Sequence, residues 1–172
     1  MGKDLSKSDL DLINRHRKRE FKAKIGIHPA PDNDDWTTPY FLVRNRDGRL
    51  LAFARLHHLK VNFRGRDYPV LGIATILSIE KRKGHGRKLL EAMKRYSQDR
   101  NTTAIGFCDP EDTPFYEKCG LGVIKGMDTF IFPSGPKSSE PGDIVYIESG
   151  DGLIKEMREH PHEKVRSYSE EW

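Results

Sequence analysis

The most constraining feature of the chain is a junction near its middle. Ile73-Ala74-Thr75-Ile76-Leu77-Ser78-Ile79 is nearly all apolar, and Glu80-Lys81-Arg82-Lys83-Gly84-His85-Gly86 follows it directly. From Arg87 to Tyr96, Leu89, Leu90, Met93 and Tyr96 recur at helical spacing. A buried strand therefore feeds a basic, glycine-bearing loop, and the loop feeds an amphipathic helix. At such a junction the unpaired N–H groups of the first helical turn and the aligned peptide dipoles create an anion site. Gly84 and Gly86 let the backbone approach a pyrophosphate closely, and the surrounding Lys and Arg hold further oxygens. Taken alone, Gly84-His85-Gly86 reads more simply as a plain helix-entry turn with a solvated basic face. The charge distribution tips the balance. Between Lys81 and Arg100 eight Lys or Arg residues stand against Glu91 and Asp99, a local charge of +6 in a chain whose net charge is +4. Such a concentration asks for an anionic ligand at one place. The loop is neither a P-loop, lacking Gly-x-x-x-x-Gly-Lys-Ser/Thr, nor a three-glycine dinucleotide fingerprint.

Around this junction the sequence sets out a mixed order of elements. Ser8 caps a predicted helix that runs to about Ile25 and is closed by Gly26, with Asp9 and Asp11 at its positive end. The stretch from His28 to Pro39 is rich in Pro, Asp and Asn and reads as an irregular connector. Tyr40 to Arg44 and Leu50 to Leu56 form a hairpin about Asp47-Gly48, and the second strand extends to Asn62, turns at Arg64-Gly65 and returns as Tyr68 to Ile79. Thr102 to Phe107 is a strand reached by a helical crossover and therefore parallel to its predecessor. Pro114 to Cys119 is a short helix ended by Gly120. Val123 to Phe132 and Ile144 to Glu148 read as a final strand pair about the loop from Pro133 to Asp143, and Leu153 to His160 as a helix stopped by Pro161. Residues 1–160 are expected to form a single domain and residues 161–172 a charged C-terminal tail.

Composition excludes several classes. No apolar stretch approaches the roughly 20 residues that cross a bilayer, and no apolar signal core follows Met1, so a membrane partner is not expected and the chain reads as cytoplasmic. The two cysteines, Cys108 and Cys119, form no C-x-x-C pair and join no histidine cluster, which argues against a disulfide scaffold and against a metal site. A nucleic-acid surface would interleave aromatic residues with its basic patch, whereas Tyr96 belongs to the inward stripe of its helix.

Two motifs carry a specific resemblance. Lys81-Arg82-Lys83-Gly84-His85-Gly86 resembles the Arg/Gln-x-x-Gly-x-Gly/Ala acyl-CoA loop of the GNAT acetyltransferase superfamily. Pro114-Phe115-Tyr116-Glu117-Lys118-Cys119-Gly120-Leu121 is similar to its second signature, a short helix containing Phe/Leu-Tyr-Glu-Lys and ending in Gly-Phe. One helix and one strand separate the two, as they do in that superfamily. Lys81 stands where Arg or Gln is usual and Leu121 where Phe is usual, and neither change removes a backbone donor. The resemblance is strong from about Leu71 to Ile124. It implies an α/β fold of the α+β kind, with a mixed, mostly antiparallel sheet whose central parallel strand pair splays apart, flanked by helices.

The resemblance also implies a chemistry, namely transfer of an acetyl group from acetyl-CoA to a primary amine. Leu77 and Ile79 would receive the pantetheine arm through their backbone groups. Lys81, Arg82, Lys83, Gly84, His85, Gly86, Arg87 and Lys88 would hold the phosphates. Tyr116 matches the family tyrosine beside the CoA sulfur, and a phenol titrating at about 10 can return a proton to the departing thiolate; the competing reading is that it packs with Phe115. For the general base the candidates are Glu80, which reads more simply as an ion-paired carboxylate, and His57 or His58, which point to opposite faces of one strand. Asp109 stands where relatives place an Asn that contacts CoA, and reads equally as a cap for the short helix. The thiols of Cys108 and Cys119 lack activating neighbours, so direct transfer without an acyl-enzyme is expected. The acceptor is an amine on a small molecule or a peptide. Asp32, Asp34 and Asp35 would attract a cationic one, although such residues are also simply solvated in most loops. A homodimer is compatible with these features. A non-catalytic CoA-binding sensor or scaffold of the same fold is the competing function.

Overall fold

A computed structural model describes residues 1–22, 26–136 and 142–170. The described chain runs α1 (Lys7–Glu20), β1 (Tyr40–Arg44), β2 (Leu50–Phe63), β3 (Arg66–Ser78), α2 (His85–Asp99), β4 (Ala104–Cys108), α3 (Thr113–Lys118), β5 (Gly122–Ile124), β6 (Phe130–Phe132), β7 (Gly135–Pro136), β8 (Asp143–Ile147), α4 (Leu153–Glu159) and β9 (Val165–Ser167). It is a mixed α/β fold with a sheet of parallel and antiparallel strands and helices beside it. Among the described residues no helix is long and apolar enough to cross a membrane. The chain divides into two compact units, Met1–Leu56 with Thr75–Leu90 and His57–Ala74 with Glu91–Trp172, and the long strands β2 and β3 each run through both.

In the first unit, β1 pairs antiparallel with the first half of β2 from Tyr40↔Arg55 to Arg44↔Leu50. The hairpin turn is drawn together by the Asn45 side chain, whose Oδ1 accepts the N–H groups of Asp47 and Arg49. Helix α1 closes the unit. Its Ile13 packs with Ile27, Leu50, Phe53 and Leu77, and Leu10, Leu12, Tyr40, Leu42 and Ile79 lie against that cluster. The cap of α1 is Ser6, not Ser8. The Ser6 Oγ accepts the Asp9 N–H at 3.1 Å and donates to Asp9 Oδ2 at 2.6 Å, while Arg44 Nη2 reaches the same carboxylate oxygen at 2.8 Å. A cap that binds an acid three residues on, itself held by an arginine from β1, outcompetes a serine without such a partner. The helix also stops earlier than expected, at Glu20, because Arg17, Lys18 and Arg19 already favour its negative end there and Lys22 turns left-handed at φ 51. The expected end near Ile25 lies outside the described residues.

In the second unit the strand order is β5-β8-β4-β3-β2-β9-β6-β7. The ladder between β3 and β4 is parallel and consists of Leu71↔Ala104 and Gly72↔Ile105, whereas β4 pairs antiparallel with β8 along its whole length, from Ala104↔Ile147 to Cys108↔Asp143. A short parallel ladder beside a full antiparallel one is how a central pair splays. The core here joins Val61, Phe63, Tyr68, Val70, Ile105, Phe130, Phe132, Ile144 and Tyr146 with Leu153, Ile154 and Met157 of α4.

Two expectations are corrected here. Val123 to Phe132 is not one strand. Gly126 takes φ 77 and gives its N–H to Asp143 Oδ1 at 3.1 Å, which breaks the run, so that β5 pairs with β8 and β6 pairs parallel with β9. The segment after Pro161 is more than a charged appendage, because Val165 is fully buried and Val165–Ser167 lies between β2 and β6 in the sheet.

Candidate active site

The expected site residues fall in both units. In the first unit, Leu77 is buried and Ile79 half-buried at the end of the β3 segment, anchored in the cluster around Ile13 and Phe53. The Ile79 N–H is committed to the Leu51 C=O at 2.9 Å. The chain then turns through Glu80 to Gly84 with Lys81, Arg82, Lys83 and Gly84 exposed. Two residues adopt left-handed backbone, Arg82 at φ 60 and Gly84 at φ 78. A glycine takes this conformation without penalty, while an arginine there is held by the turn around it.

Helix α2 starts at His85, and the bond from the Lys88 N–H to the Gly84 C=O at 3.3 Å marks where its internal ladder begins. The N–H groups before Lys88 are directed out of the helix end, where the peptide dipoles make the potential positive. Buried Leu89, Leu90 and Met93 fix the helix. Gly86 is half-buried in its first turn, and Arg87 and Lys88 are exposed. The His85 ring contributes a buried Nδ1 with no hydrogen-bond partner. The start of α2 thus gathers backbone donors, a left-handed glycine and flanking cations. Its edges are tied down by ion pairs, Arg49 Nη2 to Glu80 Oε1 at 3.3 Å and Lys81 Nζ to Glu20 Oε2 at 3.7 Å. The Glu80 carboxylate is thus engaged by an arginine of the β1–β2 turn.

In the second unit, α3 carries Tyr116. Pro114 stands in its first turn, and it ends as Cys119 and Gly120 fold back, Gly120 at φ 79 giving its N–H to the Glu117 C=O at 2.9 Å. Tyr116 is half-buried and meets Phe115 edge-on, with ring centroids 5.2 Å apart. Burial drives its phenol far above the ordinary value, and Cys108, Asp112, Cys119 and Asp109 push the same way. Burial also raises the Cys108 thiol. At neutral pH the phenol is therefore a held proton.

The helix start is pinned from below. Thr113 Oγ1 donates to Asp143 Oδ2 at 2.6 Å, Lys125 Nζ reaches the same oxygen at 2.8 Å, and Cys108 Sγ lies 3.7 Å from Thr113 Oγ1. These partners hold the Asp143 carboxyl down at about 2, the bonds from Lys125 and Thr113 outweighing burial. Asp109 is exposed, and its carbonyl accepts the Asp112 N–H at 2.9 Å in the turn that leads into α3. His57 is half-buried and His58 exposed, adjacent on β2 and therefore on opposite faces.

The sequence did not point to Thr75, a β-branched residue in left-handed backbone at φ 54 within β3. Such a conformation marks imposed local strain, and no residue type announces it. Nor did it anticipate the engagement of Asp35, whose Oδ1 is bound by Arg55 Nη1 at 3.1 Å. That carboxylate is not a solvated loop charge awaiting a cation. The signal was available: Arg55 is the single charge in the otherwise apolar run Leu50–Leu56.

Comparison with known proteins bears on the family and the fold. The family described as Acetyltransferase (GNAT) family matches residues 10–121. No curated protein matches the chain. Solved structures with a similar fold include an acyl-CoA N-acyltransferase from Pseudomonas aeruginosa, 18% identical over 84% of this chain and 94% of that one, with a TM-score of 0.56. The GNAT family N-acetyltransferase YhbS from Escherichia coli in complex with CoA is 12% identical over 94% of this chain and 77% of its own, at TM-score 0.51. A chimera of the spermidine N-acetyltransferase SpeG from Vibrio cholerae and hSSAT is 17% identical over 84% and 92%, at TM-score 0.57.

Proposed function

The chain belongs to the acetyltransferase (GNAT) family, and on that premise we propose that it transfers an acetyl group from acetyl-CoA directly to a primary amine. The observation that carries this reading is the anion cradle at the start of α2, with Gly84 left-handed at φ 78 and the internal ladder of the helix beginning only at Lys88. A pyrophosphate fits such donors, and the buried Nδ1 of His85 adds a polar atom suited to a ligand oxygen or hydroxyl. Arg82, Lys83, Arg87 and Lys88 would hold phosphate oxygens, and the Leu77 backbone with the Ile79 carbonyl would take the pantetheine arm, the Ile79 N–H being committed to Leu51. Acetyl-CoA supplies an activated acyl group on a thiolate leaving group.

The remaining steps concern the chain's own groups. An amine attack on a thioester passes through an oxyanion and expels a thiolate that must gain a proton. Tyr116 holds one. Burial raises this phenol, and the same principle would raise a thiolate formed in a buried place beside it. With Glu80 bound by Arg49, His57 or His58 through water is the better source of amine deprotonation. Cys108 and Cys119, not joined in a disulfide, suit a reducing compartment such as the cytoplasm. Release of free thiol from acetyl-CoA in the presence of a panel of primary amines tests the reading. A second reading, a CoA-binding sensor, is favoured by the engagement of Glu80, and binding of CoA without turnover of any amine would select it.

A further inference from the structure

The first unit holds a second polar cluster, which the transfer chemistry does not use. Arg55 lies within an apolar strand and is only 9% exposed. Tyr40 on β1 is its direct partner in the ladder, so the two side chains stand together on one face. Asp35 binds Arg55 Nη1 at 3.1 Å and accepts the His28 N–H on its other oxygen at 3.3 Å. Two donors are left over. Arg55 Nε and Tyr40 Oη are both buried without a well-formed hydrogen bond, and the guanidinium lies close enough to the phenol oxygen to act on it, which leaves the phenol O–H as a donor.

A buried guanidinium with one carboxylate on one nitrogen is half satisfied, and such groups are costly unless their other edge is used. Nε belongs to the side edge of the planar fork, the edge that takes a carboxylate in two parallel bonds. The surrounding charge agrees. Arg17 of α1 acts on Tyr40 alongside Arg55, against the single acid Asp35. Burial outweighs both arginines and keeps the Tyr40 phenol protonated, so it donates. The cluster thus gathers a charged and a neutral donor side by side, next to Asp35 of the 28–39 connector.

We propose that Arg55 and Tyr40 form a specificity subsite that receives a carboxylate carried by the amine acceptor, which makes the acceptor amino-acid-like rather than a polyamine. The assignment rests on the acetyl-transfer reading. Alanine, γ-aminobutyrate and phenylalanine, each beside its decarboxylated amine, and 3-aminopropylphosphonate are compared in the thiol-release assay. At least one carboxylated amine should exceed its partner in kcat/KM by about tenfold or more, since a site built to hydrogen-bond a group discriminates strongly against its absence. Tyr40→Phe, which keeps the ring, should cut that preference by raising KM for the carboxylated member. Arg55→Met paired with Asp35→Asn, which leaves no unpaired buried carboxylate, should cut it further. Equal turnover within every pair overturns the subsite and leaves acetyl transfer standing, and a preference for the phosphonate overturns the carboxylate assignment. If no amine turns over, the transfer reading has failed, and thermal shift by the three amino acids alone decides the subsite. A shift in the wild type that Tyr40→Phe abolishes supports it, and no shift overturns it.

Discussion

Asp143→Asn is the substitution that most directly probes how the second unit supports α3. The carboxylate accepts from Thr113 Oγ1 at 2.6 Å, from Lys125 Nζ at 2.8 Å and from the Gly126 N–H at 3.1 Å, and the residue is 4% exposed. The amide keeps an oxygen for Gly126 and loses the charge. A buried hydrogen bond to a charged group contributes about 1.5–3 kcal/mol, and the pairing with Lys125, whose side chain is 70% exposed, adds only about 0.5 kcal/mol. The loss should be about 2–3 kcal/mol, or about 4–12 °C in Tm for a chain of this size. The pH dependence gives an independent reading. A carboxyl held at about 2 when folded and titrating at about 3.9 when unfolded contributes fully above pH ~4 and loses its contribution as the pH falls towards ~2. Thermal melts of both proteins from pH 7 downwards should therefore show a gap that is flat to about pH 4 and then closes. A Tm within about 2 °C of wild type at pH 7, or a gap that widens on acidification, would show that the Asp143 carboxylate does not support α3.

Other outcomes follow from the proposed roles of Gly86, Tyr116 and Glu80. CoA should raise the Tm of the wild type, and Gly86→Glu should abolish that shift by adding bulk and negative charge in the first turn of α2; an undiminished shift places the ligand elsewhere. Tyr116→Phe preserves the contact with Phe115 and removes only the proton, so CoA binding should persist while turnover falls by about 10²-fold. A lowered Tm with full turnover per folded molecule would make the residue structural. Glu80→Gln should change kcat by less than about threefold if the carboxylate serves only its exposed pairing with Arg49, and a loss of about 10²-fold or more would make it the base.

Much of this arrangement was legible in the sequence because the relevant signals are local. The strand, loop and helix from Ile73 to Tyr96 were readable from one apolar run, two glycines and a stripe, and Gly84 does take the left-handed turn. The Asp47-Gly48 hairpin was readable for the same reason, since turn chemistry acts within a few residues. What escaped was decided by partners distant in sequence. The break in Val123 to Phe132 depends on Asp143 reaching the Gly126 N–H, and the choice of Ser6 as cap depends on Arg44 holding Asp9. The placement of Val165–Ser167 in the sheet depends on β2 and β6, because three residues with one buried valine at their head carry no strand signal of their own. In the candidate site, Gly84 and Tyr116 follow local motifs, whereas Thr75 and the pairing of Arg55 with Tyr40 and Asp35 arise from the sheet and the connector packed on it.

The role proposed for the start of α2 is acetyl transfer rather than mere binding. Incubating the protein with acetyl-CoA labelled in the acetyl group and a panel of primary amines, then measuring both free CoA thiol and labelled amide, tests it most directly. Thiol and amide should form in equal amounts with at least one amine, and both should be lost in Gly86→Glu. Tight binding of CoA with no labelled amide from any amine would contradict that role.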